Sequence, residues 1–175
     1  MPSKSKTPKN YTVDVDKPEE NVLSEPAVAL KHSAGPAKVI ILANAVKKPE
    51  YYMTSFEKIK LVRNGIIKQD LELLKDKAAL DYTTLAKLLG VTRATLINKK
   101  KNEKFNASLS EKILSLADLY SYGFEVFGDE QLFNRWMAKP NQAIGGEIPN
   151  DIIDNQYGRD EVKNIIGRIA YGVYS

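Results

Sequence analysis

Between Tyr82 and Lys101 the chain reads YTTLAKLLGVTRATLINKKK, and few arrangements can hold that order of residues. Two short helical stretches flank Gly90, the residue type that enters left-handed backbone without a Cβ penalty. Ala86, four positions earlier, is small enough for a second helix to cross close by. Leu85, Leu89, Val91 and Leu96 stand at the offsets that bind two crossing helices together, and Thr92 is placed to cap the second. These requirements describe a helix-turn-helix. Its second helix is expected to turn Thr92, Arg93, Ala94, Asn98 and Lys101 outward, toward a DNA major groove.

The residue types suit that task. Arginine forks onto guanine, asparagine onto adenine, and threonine meets phosphate or a thymine methyl. Lys99, Lys100 and Lys101, with Lys104, offer neutralising charge for phosphates. Lys99 stands where a third apolar residue usually closes the core, so a short or poorly buried helix is expected. The competing reading is two packed helices with a charged rim and no DNA.

Charge divides along the chain. Residues 1–110 carry 20 Lys and Arg against 12 Asp and Glu, whereas residues 111–175 carry 6 against 10. A basic front and an acidic back point to two partners, one of them polyanionic, although two solvated faces would give the same balance. Residues 1–26 hold few large apolar side chains and read as a tail, in which Lys4, Lys6 and Lys9 solubilise or brush a nucleic-acid backbone. The apolar run 39–46 is strand or short helix, packing on the following domain or on a second copy of the chain. His32, the single histidine, reads as a surface residue.

Helix signals fill the remainder. Thr54-Ser55-Phe56-Glu57 has capping-box spacing, and Phe56, Ile59, Lys60 and Arg63 continue at helical intervals to Asn64-Gly65. A second helix is expected over 68–79, with Leu71, Leu74 and Ala78 on one face. Ser108-Leu109-Ser110-Glu111 reads as another capping box opening the longest helix, which ends at Gly128, with Asp129 capping the next. Trp136 reads as a core anchor beside Leu132, Phe133 and Met137. Gly145-Gly146 is expected to let a loop pass close to other backbone, and Pro149 to begin a single turn. A last helix is expected from Asp160 to Val173, apolar at Val162, Ile165, Ile166, Ile169, Ala170 and Val173. Gly167 and Gly172 leave room for something to approach it. The whole is all-α, with a tail over 1–50, a helix-turn-helix domain over 51–127 and a small helical domain over 128–175. The aromatic end, Tyr171 to Ser175, is expected to be held by a partner.

Catalytic patterns are missing from the sequence. It has no phosphate loop, no His and Cys spacing for a metal, and no cysteine. No enzyme, cofactor or metal is expected. No apolar run approaches the roughly 20 residues of a membrane span, and no signal peptide is recognisable. A cytoplasmic protein fits these features.

From Phe56 to Tyr174 the chain resembles the Xre/MbcA/ParS-like antitoxins, partners of RES-domain toxins. The resemblance lies in the helix-turn-helix core and the Leu109-Ser110-Glu111 helix start, and more specifically in the later residues. Those are Phe127-Gly128-Asp129, Trp136, the run Pro140 to Gly146, Pro149, Asp151-Ile152-Ile153, Gly158, Glu161-Val162 and Arg168 to Val173. It implies a homodimer formed through the helix-turn-helix region, within a larger toxin–antitoxin complex. The C-terminal tip then blocks the active site of an NAD-degrading toxin, and the antitoxin represses its own operon by binding operator DNA. Toxin contacts fall on Arg168, Tyr171, Gly172, Val173, Tyr174 and Ser175. Arg168 pairs with acidic or phosphate-binding groups of the toxin, or is a solvated helix arginine. Residues 1–50 have no counterpart in the family, and Lys99 to Lys101 stand where arginines are commoner, favouring phosphate contact over base reading. The alternatives are a stand-alone helix-turn-helix regulator, whose C-terminal region oligomerises or senses a ligand, and an adaptor without DNA binding.

Overall fold

The computed structural model describes Leu42 and residues 48–172. After a 3-10 turn, Glu50–Tyr52, eight α-helices follow among these residues, with a second 3-10 turn, Gln142–Ile144, between the sixth and seventh: α1 (Ser55–Asn64), α2 (Lys68–Lys77), α3 (Tyr82–Leu89), α4 (Arg93–Ile97), α5 (Ala107–Phe127), α6 (Glu130–Met137), α7 (Pro149–Ile152) and α8 (Gln156–Ala170). The only pairing of extended backbone among them is an isolated antiparallel bridge between Ile67 and Lys104. The chain is therefore all-α. Apart from Leu42, the apolar run 39–46 lies outside the described residues, as do the N-terminal lysines, His32 and the last three residues, Val173, Tyr174 and Ser175.

Local chemistry accounts for most helix ends. Thr54 and Glu57 form the expected capping box on α1: the Thr54 hydroxyl accepts from Glu57 N–H, and the Glu57 carboxylate accepts from Thr54 N–H. Asp81, Thr92 and Asp129 cap α3, α4 and α6 by accepting from backbone N–H groups three residues on. Gly90 ends α3 in left-handed backbone, at φ 66° and ψ 41°.

Several expectations are corrected. The longest helix is capped by Asn106, whose side chain accepts from Leu109 N–H. Ser110 is instead buried, its hydroxyl accepting from Ile66 N–H at 3.0 Å and donating to Phe105 O at 3.3 Å. It ties α5 to the α1–α2 connection. The last helix begins four residues earlier than expected, at Gln156, because Asn155 caps it through Gly158 N–H. It ends at Ala170, which is exposed. Along α1, Phe56 is 78% exposed and Leu61 is the buried residue.

The long helix α5 is the spine of the molecule, touching the 3-10 turn, α1, α3, α6 and α8. Its buried face continues into α6 through an aromatic cluster centred on Phe133. That ring lies 5.6 Å from Tyr120, 5.5 Å from Phe124 and 5.2 Å from Phe127, all edge-on, and stacks on Trp136 at 5.8 Å. Each such buried ring contributes about 1.5–3 kcal/mol from area alone, with the edge contacts adding to it. Trp136 is only partly buried and flanks this core.

The tightest approaches are at Gly123 and Gly158, not at Gly145 and Gly146. A Cβ on Gly145 or Gly146 would meet nothing within 4 Å; these residues are needed for positive φ, 71° and 84°. On Gly123 a Cβ would lie 2.1 Å from the Phe133 ring, and on Gly158 it would lie 1.7 Å from Ile152 O. Gly123 is thus a notch that seats Phe133, and Gly158 lets α8 start against the end of α7. Gly158→Ala meets backbone that cannot swing aside, and a loss of about 3 kcal/mol or more in urea-melt stability is expected. Gly123→Ala displaces a side chain and is expected to cost about 1–3 kcal/mol.

Candidate functional site

Two surfaces emerge from this framework, one at α4 and one at the end of α8. The first rests on the turn between α3 and α4, where Gly90 N–H and Val91 N–H both reach Ala86 O. The last two carbonyls of α3 are held by cations from elsewhere. Lys112 Nζ, on α5, donates to Leu89 O at 3.0 Å, and Arg159 Nη2, on α8, donates to Leu88 O at 3.1 Å. Cations at a helix C-terminus satisfy its orphan carbonyls and its dipole together.

Helix α4 is only five residues long, consistent with the lysine where an apolar residue was wanted. Leu96 is its buried residue. Lys68 reaches it from α2: although almost fully buried, its ammonium donates to Leu96 O at 2.6 Å and to the Tyr82 hydroxyl at 2.7 Å. The orientation of α4 is thus fixed twice at Leu96, through its side chain and through its carbonyl.

The outward residues are Thr92, Arg93, Ala94 and Asn98, all exposed. Thr92 already caps the helix and shares a hydrogen bond with Thr95 Oγ1 at 2.8 Å. Asn98 is the C-cap, so Lys99, Lys100 and Lys101 lie past the helix end. Lys101 therefore does not sit on the helix face where it was expected. Lys99 turns back, its ammonium 2.6 Å from the Glu103 carboxylate and 5.4 Å from the centre of the Phe105 ring. The Glu103 carboxyl is held below its ordinary range, first by the Lys99 ammonium and then by Lys100 N–H. Lys100 and Lys101 are exposed.

The second surface begins where the apolar face of α8 ends. Val162, Ile165 and Ile166 are buried, Ile169 is partly buried, and Tyr171 is 85% exposed. Gly172, at φ 68°, closes the described chain. Arg168 is half-exposed and lies 3.9 Å from Glu161.

One residue joining the two surfaces has no counterpart in the sequence expectations. Arg159 is 4% exposed, and besides Leu88 O its Nε holds Ile153 O at 2.9 Å. Burial lowers its pKa, partly offset by Asp154 and Asp160. It stands on the same stripe as Val162 and Ile166, at i, i+3 and i+7. That periodicity was a signal that this arginine must find partners inside the protein. Lys87 and Asp151, 3.2 Å apart, and Lys77 and Glu130, 2.8 Å apart, bridge the same halves nearer the surface. A cavity of about 450 Å³ opens between α1, α5 and α8, but its central carboxylate, Asp118, is already paired with Lys58 at 2.6 Å and with Lys163. Among the described residues no acidic or histidine cluster is placed to hold a metal, and no helix is long and apolar enough to cross a membrane.

The architecture is that of a helix-turn-helix protein with a helical domain docked on its C-terminal side. Residues 57–118 match the family model described as the antitoxin Xre-like helix-turn-helix domain, and residues 123–172 match that of the antitoxin Xre/MbcA/ParS C-terminal toxin-binding domain. The chain belongs to the Xre/MbcA/ParS antitoxin family. It is 32% identical over 73 residues to an antitoxin Xre of Photorhabdus laumondii, a stretch covering 41% of this chain and 49% of that protein, about half its length. A Prs ADP-ribosylating antitoxin of Sphingobium is 24% identical over 139 residues, covering 73% of this chain and 87% of its own. An antitoxin Xre of Yersinia enterocolitica is 24% identical over 100 residues, covering 56% and 68%.

Replacing Arg159 by leucine leaves two buried carbonyls without their charged donor. At about 1–3 kcal/mol for each unsatisfied group, Arg159→Leu is expected to lower unfolding stability by about 3 kcal/mol. Equilibrium urea denaturation followed by circular dichroism measures it, and a loss below about 1 kcal/mol would mean that the tie is not structural.

Proposed function

We propose that this chain is the antitoxin of a type II toxin–antitoxin pair. It neutralises a RES-domain toxin that degrades NAD by laying the end of α8 and the tip, Arg168 and Tyr171 to Ser175, over the toxin's active site. The same chain, as a homodimer in the cytoplasm, represses its own operon through Thr92, Arg93, Ala94, Asn98 and the lysines 99–101. The family membership supports the two roles, and the resemblance of the C-terminal residues supports the choice of toxin. The observation that carries the occlusion is the contrast along α8. Its inner face is fully buried as far as Ile166, so the helix is anchored, while Tyr171, within the segment matching a toxin-binding domain, stands almost wholly in solvent. An anchored helix with an exposed aromatic end presents contact area at little ordering cost. Such an inhibitor acts by steric exclusion and needs no catalytic group of its own.

A truncation ending at Ile169 keeps Val162, Ile165 and Ile166 and is expected to fold with an unchanged helical spectrum. It should fail to protect cells expressing the cognate toxin. Full protection by this variant would falsify occlusion by the tip.

On DNA, Lys99 must leave Glu103 before it can meet a phosphate. Since the Glu103 carboxyl is held low, the pair persists at neutral pH and weakens only as pH falls through that depressed value. Glu103→Gln releases the ammonium at neutral pH. Operator affinity should rise, and the slope of log K against log salt should steepen by about 0.9, the value of one added phosphate contact. An unchanged slope would place Lys99 away from the DNA.

A further inference from the structure

We propose that Tyr51 and Tyr52, which precede both matched family segments, belong to the toxin-docking surface and form one aromatic platform with Tyr122 and Tyr171. This rests on the toxin-binding reading above and extends the docking surface beyond the C-terminal domain.

Three tyrosines from two parts of the chain are in ring contact here, and the third abuts the end of α8, the helix that leads to Tyr171. The Tyr51 ring stacks on Tyr122, with centroids 4.4 Å apart and planes at 21°, and Tyr52 tilts against Tyr51 at 4.8 Å. The Tyr52 hydroxyl donates to Glu125 Oε1 at 3.0 Å. The Tyr122 hydroxyl lies 3.4 Å from where a Cβ on Gly167 would stand, over the last turns of α8. Its pKa is raised by burial first, then by the neighbouring phenols of Tyr51 and Tyr171. The ring contacts therefore run from the 3-10 turn to α5, and the Tyr122 hydroxyl carries them on to Gly167, four residues before Tyr171.

The base of the platform is rigid while its rings stay in solvent. Glu50 is fully buried and its carboxylate accepts from Leu42 N–H; Pro49, Leu42 and Met53 are buried around it. Yet Tyr51 is 40% exposed, Tyr52 50% and Tyr171 85%. Burial of the backbone with exposure of the aromatics is the arrangement of an interface hot spot, in which large rings with few rotatable bonds are held ready. Core formation does not explain leaving three tyrosines so exposed. The occupant follows from continuity: Tyr171 lies inside residues 123–172, the toxin-binding match, and Tyr122 immediately precedes it. A toxin covering the last turns of α8 meets Tyr122, at Gly167, and then Tyr51 and Tyr52.

The test uses the full chain and its purified cognate toxin, the RES-domain protein of the proposed pair, with binding followed by calorimetry. The double variant Tyr51→Ser/Tyr52→Ser is expected to bind that toxin about 10- to 100-fold more weakly. Because Tyr51 also packs on α5, the single variant Tyr52→Arg, at the more exposed ring, serves as a second probe and should lose affinity without a change in melting temperature. Operator affinity should be unchanged in both. If the wild-type chain does not bind the toxin, the toxin-binding reading itself fails. If the wild type binds and both variants bind within twofold of it, that reading stands and the platform is overturned. The platform is also overturned if toxin affinity holds while the variants change the sedimentation of the free protein, since the rings would then face a second copy. It is overturned again if removing residues 1–41 tightens toxin binding to the wild type but not to the double variant, since the chain's own N-terminal residues would then cover the rings.

Discussion

A helix ends in carbonyl groups that have lost their intrahelical donors, and at the end of α3 those groups are supplied from outside the helix-turn-helix. Leu88 O accepts from Arg159 and Leu89 O from Lys112. The two cations come from α8 and α5, so the turn at Gly90 is held by the elements that also carry the C-terminal surface. Arg159 cannot leave without stranding a second carbonyl, Ile153 O, in the interior. The pair of contacts is therefore a hinge pin between the two matched segments, and the buried core crosses the same boundary, from Leu61 through Tyr120 to Ile166.

Around that pin the molecule divides its residues by what each can reach. α5 gives one side to the helix-turn-helix and another to α6 and α8, and a notch at Gly123 allows the Phe133 ring to join them. What is left outward is chemically distinct on the two surfaces. At α4 it is arginine, asparagine and lysine, groups that pair with bases and phosphates. At the end of α8 it is tyrosine, which offers apolar area with a polar rim. The surface proposed for DNA and the surface proposed for a protein partner thus share no residue.

Much of the helical plan was legible in the chain. The capping box at Thr54 and Glu57, the caps at Thr92 and Asp129, and the glycine turn of the helix-turn-helix all stand where local rules put them. The same rules misplaced two starts. Asn106 competes as a cap with Ser108, and spacing alone does not rank such near neighbours; at α8 the apolar stripe marked the helix but not its Asn155 cap. At α4 the misplaced lysine announced a short helix, but not that Lys99 would turn back onto Glu103.

The sequence by itself determined the all-α class, the helix-turn-helix and the anchored stripe of α8, because caps, turns and periodicity act over three or four residues of chain. Only the tertiary structure decided which cation meets which carbonyl and which tyrosines share a surface. Arg159 finds Leu88 across 71 residues, and Tyr51 finds Ser121 across 70. Over such separations the partner is chosen by packing around α5, and no local pattern records the choice.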